Sequence, residues 1–283
     1  MGAADTRRIN QPPPGPAVGQ TTPVATPTDQ PAEVKKKKKR RLRDPLSILL
    51  VLIIVVAIVI AGGIGVELYI RNKANNKIAA ATACKVKDQA TASFGVTPLV
   101  TWQVLTDHYT NISIDTAGNQ ISDAKGMKLQ LSIKDVKLDS TADSKGTIGA
   151  IDATLTWTAT GIKQTVQNAI PILGEFVTSN VTTHPKDGTV ELKGLLNDIV
   201  AKPQVKDGGL ELQIVSFNTL GFSLPKESVQ STLDEYTSNL TKKFPLGIHA
   251  DSVEVTDSDV VAKFSSRNAT IPAGETDPCF ADL

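Results

Sequence analysis

The residues able to move protons, attack carbonyls or hold metals are few in this chain, and their spacing assembles none of the familiar devices. Histidine occurs only at His108, His184 and His249, with no metal-ligand spacing between them. No His-Glu-x-x-His helix, phosphate-cradling glycine loop or Gly-x-Ser-x-Gly elbow is present. The acid pairs Asp234/Glu235 and Asp257/Asp259 fall in exposed helical or turn-like contexts, where solvation accounts for them better than acid–base catalysis. The reading is a protein that is not an enzyme and uses neither metal nor cofactor.

Two cysteines remain, Cys84 and Cys279, near the two ends of the C-terminal three quarters of the chain. In an oxidising compartment such a pair reads as one disulfide tying those ends together. Two free thiols are the alternative. Lipid attachment at Cys84 is set aside, because Ala-Thr-Ala-Cys lacks the large aliphatic residue such a site wants.

The element that decides the compartment lies upstream. Eight of the nine residues from Lys35 to Arg43 are basic, and Pro45 to Val66 is then uncharged and built mainly from Leu, Ile, Val, Ala and Gly. About 20 helical residues cross a ~30 Å hydrocarbon core. A cleaved export signal has a shorter leader and a shorter apolar stretch, so this segment reads as an uncleaved signal anchor. The heavier Lys/Arg flank faces the cytoplasm, which predicts a single-pass plasma-membrane protein with its N-terminus inside and its C-terminal domain outside. Set directly against a span, the basic run reads as a topology signal that also touches anionic lipid heads, not as a nucleic-acid patch.

The predicted organisation is a disordered Pro/Thr-rich tail with a polybasic end over 1–44, a transmembrane helix over 45–66, a helical stalk over 67–93 and an extracytoplasmic domain over 94–283. Residues 1–44 hold 10 of the 30 Lys and Arg and 4 of the 29 Asp and Glu, leaving 20 basic against 25 acidic groups beyond them. That outer balance gives no sign of nucleic-acid binding. The stalk helix, with Ile70, Ala74, Ile78 and Ala81 at helical spacing, is expected to continue to about Ala92, loosened at Asn75-Asn76.

Beyond it the period changes to two. Met127, Leu129, Leu131 and Ile133 alternate with polar residues, as do Ile151, Ala153, Leu155 and Trp157, and the pattern recurs near 111–120, 189–196, 209–224 and 248–271. These are strands with one buried and one wet face, punctuated by Asp187-Gly188 and Asp207-Gly208-Gly209 turns. Two helices interrupt. One sets Ile162, Val166, Ile170, Leu173, Phe176 and Val177 on one stripe, kinked at Pro171. The other opens at Pro225 and lines up Val229, Leu233, Tyr236 and Leu240. The fold class is α+β: an anchor, then an elongated, curved antiparallel sheet with helices packed on it. An apolar stripe of this kind packs into a core or, closed on a curved sheet, walls a slot for an acyl chain.

Two stretches carry a family likeness. "FGVTPLVTWQVLTDHYTNISIDTAGNQI" resembles the opening, and "FPLGIHADSVEVTDSDVVAKFSSRNATIP" the close, of the actinobacterial LmeA-type phospholipid-binding family, with "KGMKLQLSIKDVKL" fitting between. The chain departs from the family pattern at Gly95-Val96-Thr97-Pro98-Leu99, where Gly-Phe-Pro-Phe is usual, and at His108, where a Gly precedes Tyr. The resemblance implies a cell-envelope protein that binds phospholipid, a tubular lipid-binding-like fold and no catalytic residues. One member is needed for mannan elongation of envelope lipoglycans. The slot is expected to draw on Leu99, Trp102 and Leu105, the Ile162–Val177 helix, and Phe222, Leu224, Val229 and Leu233. An anchored domain of this type takes up or hands over phospholipid near its own membrane. A structural or assembly partner of an envelope enzyme or transporter is the alternative.

Overall fold

The computed structural model describes residues 44–169, 178–195, 197–219, 227, 230–231, 244–274 and 277–280. Contacts divide the chain into Met1–Leu52 and Ile53–Leu283. The first helix, α1, covers Pro45–Val86 and opens with a proline where a missing N–H costs nothing. Its first half is apolar all round and exposed, from Leu46 to Val66, as suits a segment surrounded by something other than water. This is the one helix among the described residues long and apolar enough to cross a membrane.

From Ile70 onward α1 changes character. Ile70, Ala74 and Ile78 pack against Phe94, Val100, Ile112, Ile114, Val136, Ile148, Ile151 and Ala269, which form the main core. The expected loosening at Asn75 does not occur. The Asn75 Oδ1 instead accepts the N–H of Phe94 at 3.2 Å, so the residue docks a strand while the helix runs on. The helix also ends earlier than the pattern predicts. Lys87 takes φ 58°, and the Asp88 carboxylate accepts N–H groups of Gly118 at 3.0 Å and Asn119 at 2.9 Å, drawing the chain away from the helix axis. Residues read as helix to Ala92 therefore include β1, Ala90–Phe94, a short edge strand paired with β2.

After β1 come α2 (Val100–Leu105), β2 (His108–Thr116), the two-residue strands β3 (Gln120–Ile121) and β4 (Ala124–Lys125), β5 (Met127–Lys137), β6 (Ser144–Thr158) and α3 (Ala159–Ala169). Then β7 (Asn180–His184), β8 (Thr189–Lys193), β9 (Asn197–Lys206), β10 (Gly209–Thr219), β11 (His249–Val255) and β12 (Asp259–Pro272) complete the set. A six-stranded antiparallel sheet has the order β1-β2-β5-β6-β12-β11, and a four-stranded one β10-β9-β8-β7. The α+β reading, anchor-like helix followed by antiparallel sheet, holds.

Neither β7 nor β9 is visible in the alternation. β9 contains Pro203, and β8 pairs with β9 only as far as Ala201, so Pro203 bonds a neighbour on one side alone. There its missing N–H leaves no ladder bond unmade. The sheets join where the Ala250 N–H donates to the Gly208 carbonyl at 2.7 Å and the Thr183 hydroxyl to the Asp257 carbonyl at 2.7 Å. One local twist interrupts β5 without shifting its register. Asp135, at φ 54°, is skipped in both pairings, and Gly149 lies beside it, where an added Cβ would come 2.8 Å from the Asp135 Cβ. Beyond this left-handed residue Val136 is buried in the same core that Ile133 packs against.

Candidate functional site

The register of the six-stranded sheet stacks apolar side chains in cross-strand rows on one face. Ile112, Ile133 and Ile151 form one row, Ile114, Leu131, Ala153 and Phe264 the next. Leu129, Leu155 and Ala262, then Met127, Trp157 and Val260, continue toward the end where α3 begins. In the first rows Ile112, Ile114 and Ile151 are buried in the core that α1 packs on. In the last two, Leu129, Leu155, Trp157 and Val260 stay half-buried. The Trp157 Nε1–H donates to the Lys125 carbonyl at 2.8 Å, so the polar end of that ring is satisfied and its apolar body is what remains to be covered. These rows are apolar throughout, and each methylene buried against such a surface gains ~0.8 kcal/mol.

The start of α3 is fixed by two glycines. A Cβ on Gly161 would lie 2.2 Å from the Lys125 carbonyl oxygen, and one on Gly126 (φ +64°) 2.7 Å from the Gly161 Cα. The backbones touch there, which seats α3 on the corner between β4 and β5. Ile162 is buried and Val166, one turn on, half-buried.

The sequence-predicted lining thus falls into separate groups. Ile162 and Val166 lie together on α3. Leu99, Trp102 and Leu105 lie on and beside α2, and they are 58%, 61% and 74% exposed. α2 precedes His108, which pairs with Lys137 at one end of β5, whereas Met127 at the other end pairs with Trp157 next to α3. At ~3.3 Å per residue the 11 residues of β5 separate the two groups by roughly 30 Å. Ile170, Leu173, Phe176, Val177, Phe222, Leu224, Val229 and Leu233 lie outside the described residues. The half-buried rows were legible as alternation, but alternation does not tell a covered face from one left partly open.

On the opposite face an open groove of about 420 Å³ is lined by Asp115, Gln130, Asp152, Asp251 and Lys263 among others. Acids outnumber bases there, and Asp152 is further bound by Arg267 at 2.5 Å. This groove suits neither an acyl chain nor a phosphate. Among the described residues no three of His, Cys, Asp and Glu gather to hold a metal.

Polar chemistry concentrates where α1 first meets the sheet domain. The Glu67 carboxylate accepts the N–H groups of Val100 at 2.8 Å and Thr101 at 2.9 Å and the Thr101 hydroxyl at 2.8 Å, and pairs with Arg71 at 3.0 Å. Burial alone would raise its pKa. The N–H bonds from Thr101 and Val100, then the hydroxyl and the guanidinium, outweigh it and hold the group at about 2. Arg71 also donates to the carbonyls of Phe94 at 2.8 Å and Gly95 at 3.1 Å. At the far end of α1, Cys84 and Cys279 form a disulfide with Cα atoms 5.7 Å apart, flanked by a Lys85–Asp277 ion pair at 2.6 Å.

A family model described as LmeA-like phospholipid-binding matches residues 61–265. Curated relatives from Mycobacterium tuberculosis (strain H37Rv) and Mycobacterium bovis, each named an uncharacterized protein, are 68% identical over 223 residues, covering 79% of this chain. The chain spans 64% of the length of these relatives. No solved structure matches it at a significant level.

Proposed function

The chain belongs to the LmeA-like phospholipid-binding family, and from that premise we propose that it is a membrane-anchored extracytoplasmic domain that holds phospholipid acyl chains and serves cell-envelope lipid or lipoglycan biogenesis by binding, without catalysis. The observation that carries the reading is the run of apolar rows at Leu129–Leu155 and Met127–Trp157–Val260, half-buried except at Met127, beside Ile162 and Val166 of α3. The stripe continuing through Ile170, Leu173, Phe176 and Val177 and the apolar residues Phe222, Leu224, Val229 and Leu233 complete the lining in this proposal. Leu99, Trp102 and Leu105, at the other end of the sheet, are left out of it. The basic run at Lys35–Arg43 favours a cytoplasmic N-terminus, and the disulfide supports an oxidising compartment for the folded domain.

Native mass spectrometry of the full chain, released from detergent micelles, tests this. The expected result is a bound phospholipid mass that solvent extraction removes and that a Leu129→Asp/Leu155→Asp variant lacks while its disulfide forms normally. A chain that stays empty after incubation with phospholipid vesicles overturns the reading.

A further inference from the structure

α2 buries a glutamine beside Val100 and turns its other apolar side chains outward. Gln103 is fully buried, donating to the Pro98 carbonyl at 2.7 Å and accepting the Thr110 N–H at 3.1 Å. The Thr101 hydroxyl is spent on Glu67. The side chains that face outward are Trp102, Val104 and Leu105, with Leu99 and Val96 on the preceding loop. Trp102 and Leu105 are among the large apolar residues most exposed beyond α1, and Val96 is 76% exposed. A short helix bathed in water would hide its tryptophan and leucines and expose its glutamine.

The position of this patch along α1 explains the arrangement. The Phe94 N–H binds Asn75, the Phe94 and Gly95 carbonyls bind Arg71, and the Val100 and Thr101 N–H groups bind Glu67. The loop therefore climbs two turns of α1 toward its N-terminus, about 12 Å at 1.5 Å per residue. It stops at Glu67, the first charge after the uncharged run that ends at Val66. Leu68 and Tyr69, at the same level of α1, are exposed as well. Aromatic side chains at that level, with apolar neighbours and a polar boundary at Thr106 and Asp107, have the composition of a membrane-interface belt.

We propose that the α2 face formed by Val96, Leu99, Trp102 and Leu105 is a second membrane contact, seated in the headgroup–acyl boundary of the same bilayer that α1 enters. This inference rests on the anchoring part of the proposed function. Its occupant is the lipid surface itself, because the patch lies at the level where the exposed apolar run of α1 ends, and the one charge at that level, Glu67, is turned inward and satisfied.

The test uses the full chain in nanodiscs of phosphatidylcholine and phosphatidylglycerol, made with or without lipid brominated near the top of the acyl chain. The protein has two tryptophans, Trp102 and Trp157, so the difference between wild type and Trp102→Phe is the Trp102 emission. The expected result is loss of most of that component in brominated nanodiscs, and its recovery, red-shifted, in a Leu99→Asp/Leu105→Asp variant. Quenching of Trp157, read in Trp102→Phe, reports lipid in the slot independently. A chain that co-elutes with nanodiscs but keeps Trp102 unquenched, and open to iodide from the aqueous phase, overturns this inference alone. A chain that fails to co-elute overturns the anchor with it.

Discussion

At the α2 end of the six-stranded sheet, charge is buried and apolar side chains are outside: the Glu67 carboxylate is enclosed by N–H groups while Trp102 and Leu105 stand exposed. At the α3 end the order is the ordinary one, with Ile162 buried, Trp157 half-buried and its indole N–H satisfied, and charges such as Lys85 and Asp277 on the surface. The same sheet thus presents two apolar surfaces of opposite sense. One is unsheltered, which suits a surrounding that is itself apolar. The other is partly enclosed, which suits a guest. Exposure alone would rank the α2 residues as the better ligand site; whether the neighbouring polar groups turn inward or outward separates the two cases.

The sharpest way to break this contrast is to remove the tie at the α3 end. Reducing Cys84–Cys279, or replacing both with serine, frees a loop whose ends are 195 residues apart in sequence. It is expected to cost about 3–5 kcal/mol, since a longer closed loop restricts the unfolded chain more. Thermal unfolding of the full chain in detergent, with and without reductant, reads the loss. Next is the other end. Glu67→Ala takes the carboxylate partner from Arg71 and leaves the Val100 and Thr101 N–H groups unpaired in a largely buried site, and is expected to cost about 2–3 kcal/mol. Local hydrogen exchange should rise at Val100 and Thr101 and remain unchanged in α3. The same carboxylate sets an acid limit. Its pKa is lowered from 4.5 to about 2, so its contribution is complete above about pH 4.5 and is lost as the pH falls toward 2. An acid titration followed by Trp102 emission should show a transition in that window that Glu67→Gln abolishes.

Gly161→Ala is a smaller perturbation, about 1–3 kcal/mol, because the new methyl meets the Lys125 carbonyl and α3 must shift to admit it. Lipid occupancy should fall with it, whereas the Trp102 signal should not change. Smallest of all is Lys85→Ala. Its ion pair with Asp277 is exposed and screened, and the disulfide beside it already fixes the ends, so the melting temperature should not move measurably.

Much of the sheet was readable from residue alternation, because each of β2, β5, β6 and β12 turns one face to a core and one to water. β1 was not, since Ala-Thr-Ala-Ser-Phe is short, small-residued and continuous with an Ala-rich helix. β9 was masked by Pro203. The Glu67–Arg71 pair at i, i+4 is visible in sequence, but the partners that give it meaning, Val100 and Thr101, are 33 and 34 residues away. For the same reason Leu99, Trp102 and Leu105 were grouped with the α3 stripe. Hydrophobicity assigns residues to an apolar surface, and only strand register shows that the two surfaces sit at opposite ends.

The unbroken run of α1 from Ile53 to Val86 has a mechanical consequence. In the anchored reading, the same rod that sits in the bilayer is bonded into the sheet and clamped at Glu67, Asn75 and the disulfide, with no hinge between. From Glu67 to Val86 it extends about 29 Å at 1.5 Å per residue. A 10° change in helix tilt, of the kind a thinner or thicker bilayer imposes, would swing its outer end by ~5 Å. The protein is then a lever whose fulcrum is the membrane surface, and bilayer thickness becomes an input that sets how far the sheet leans over the lipid heads.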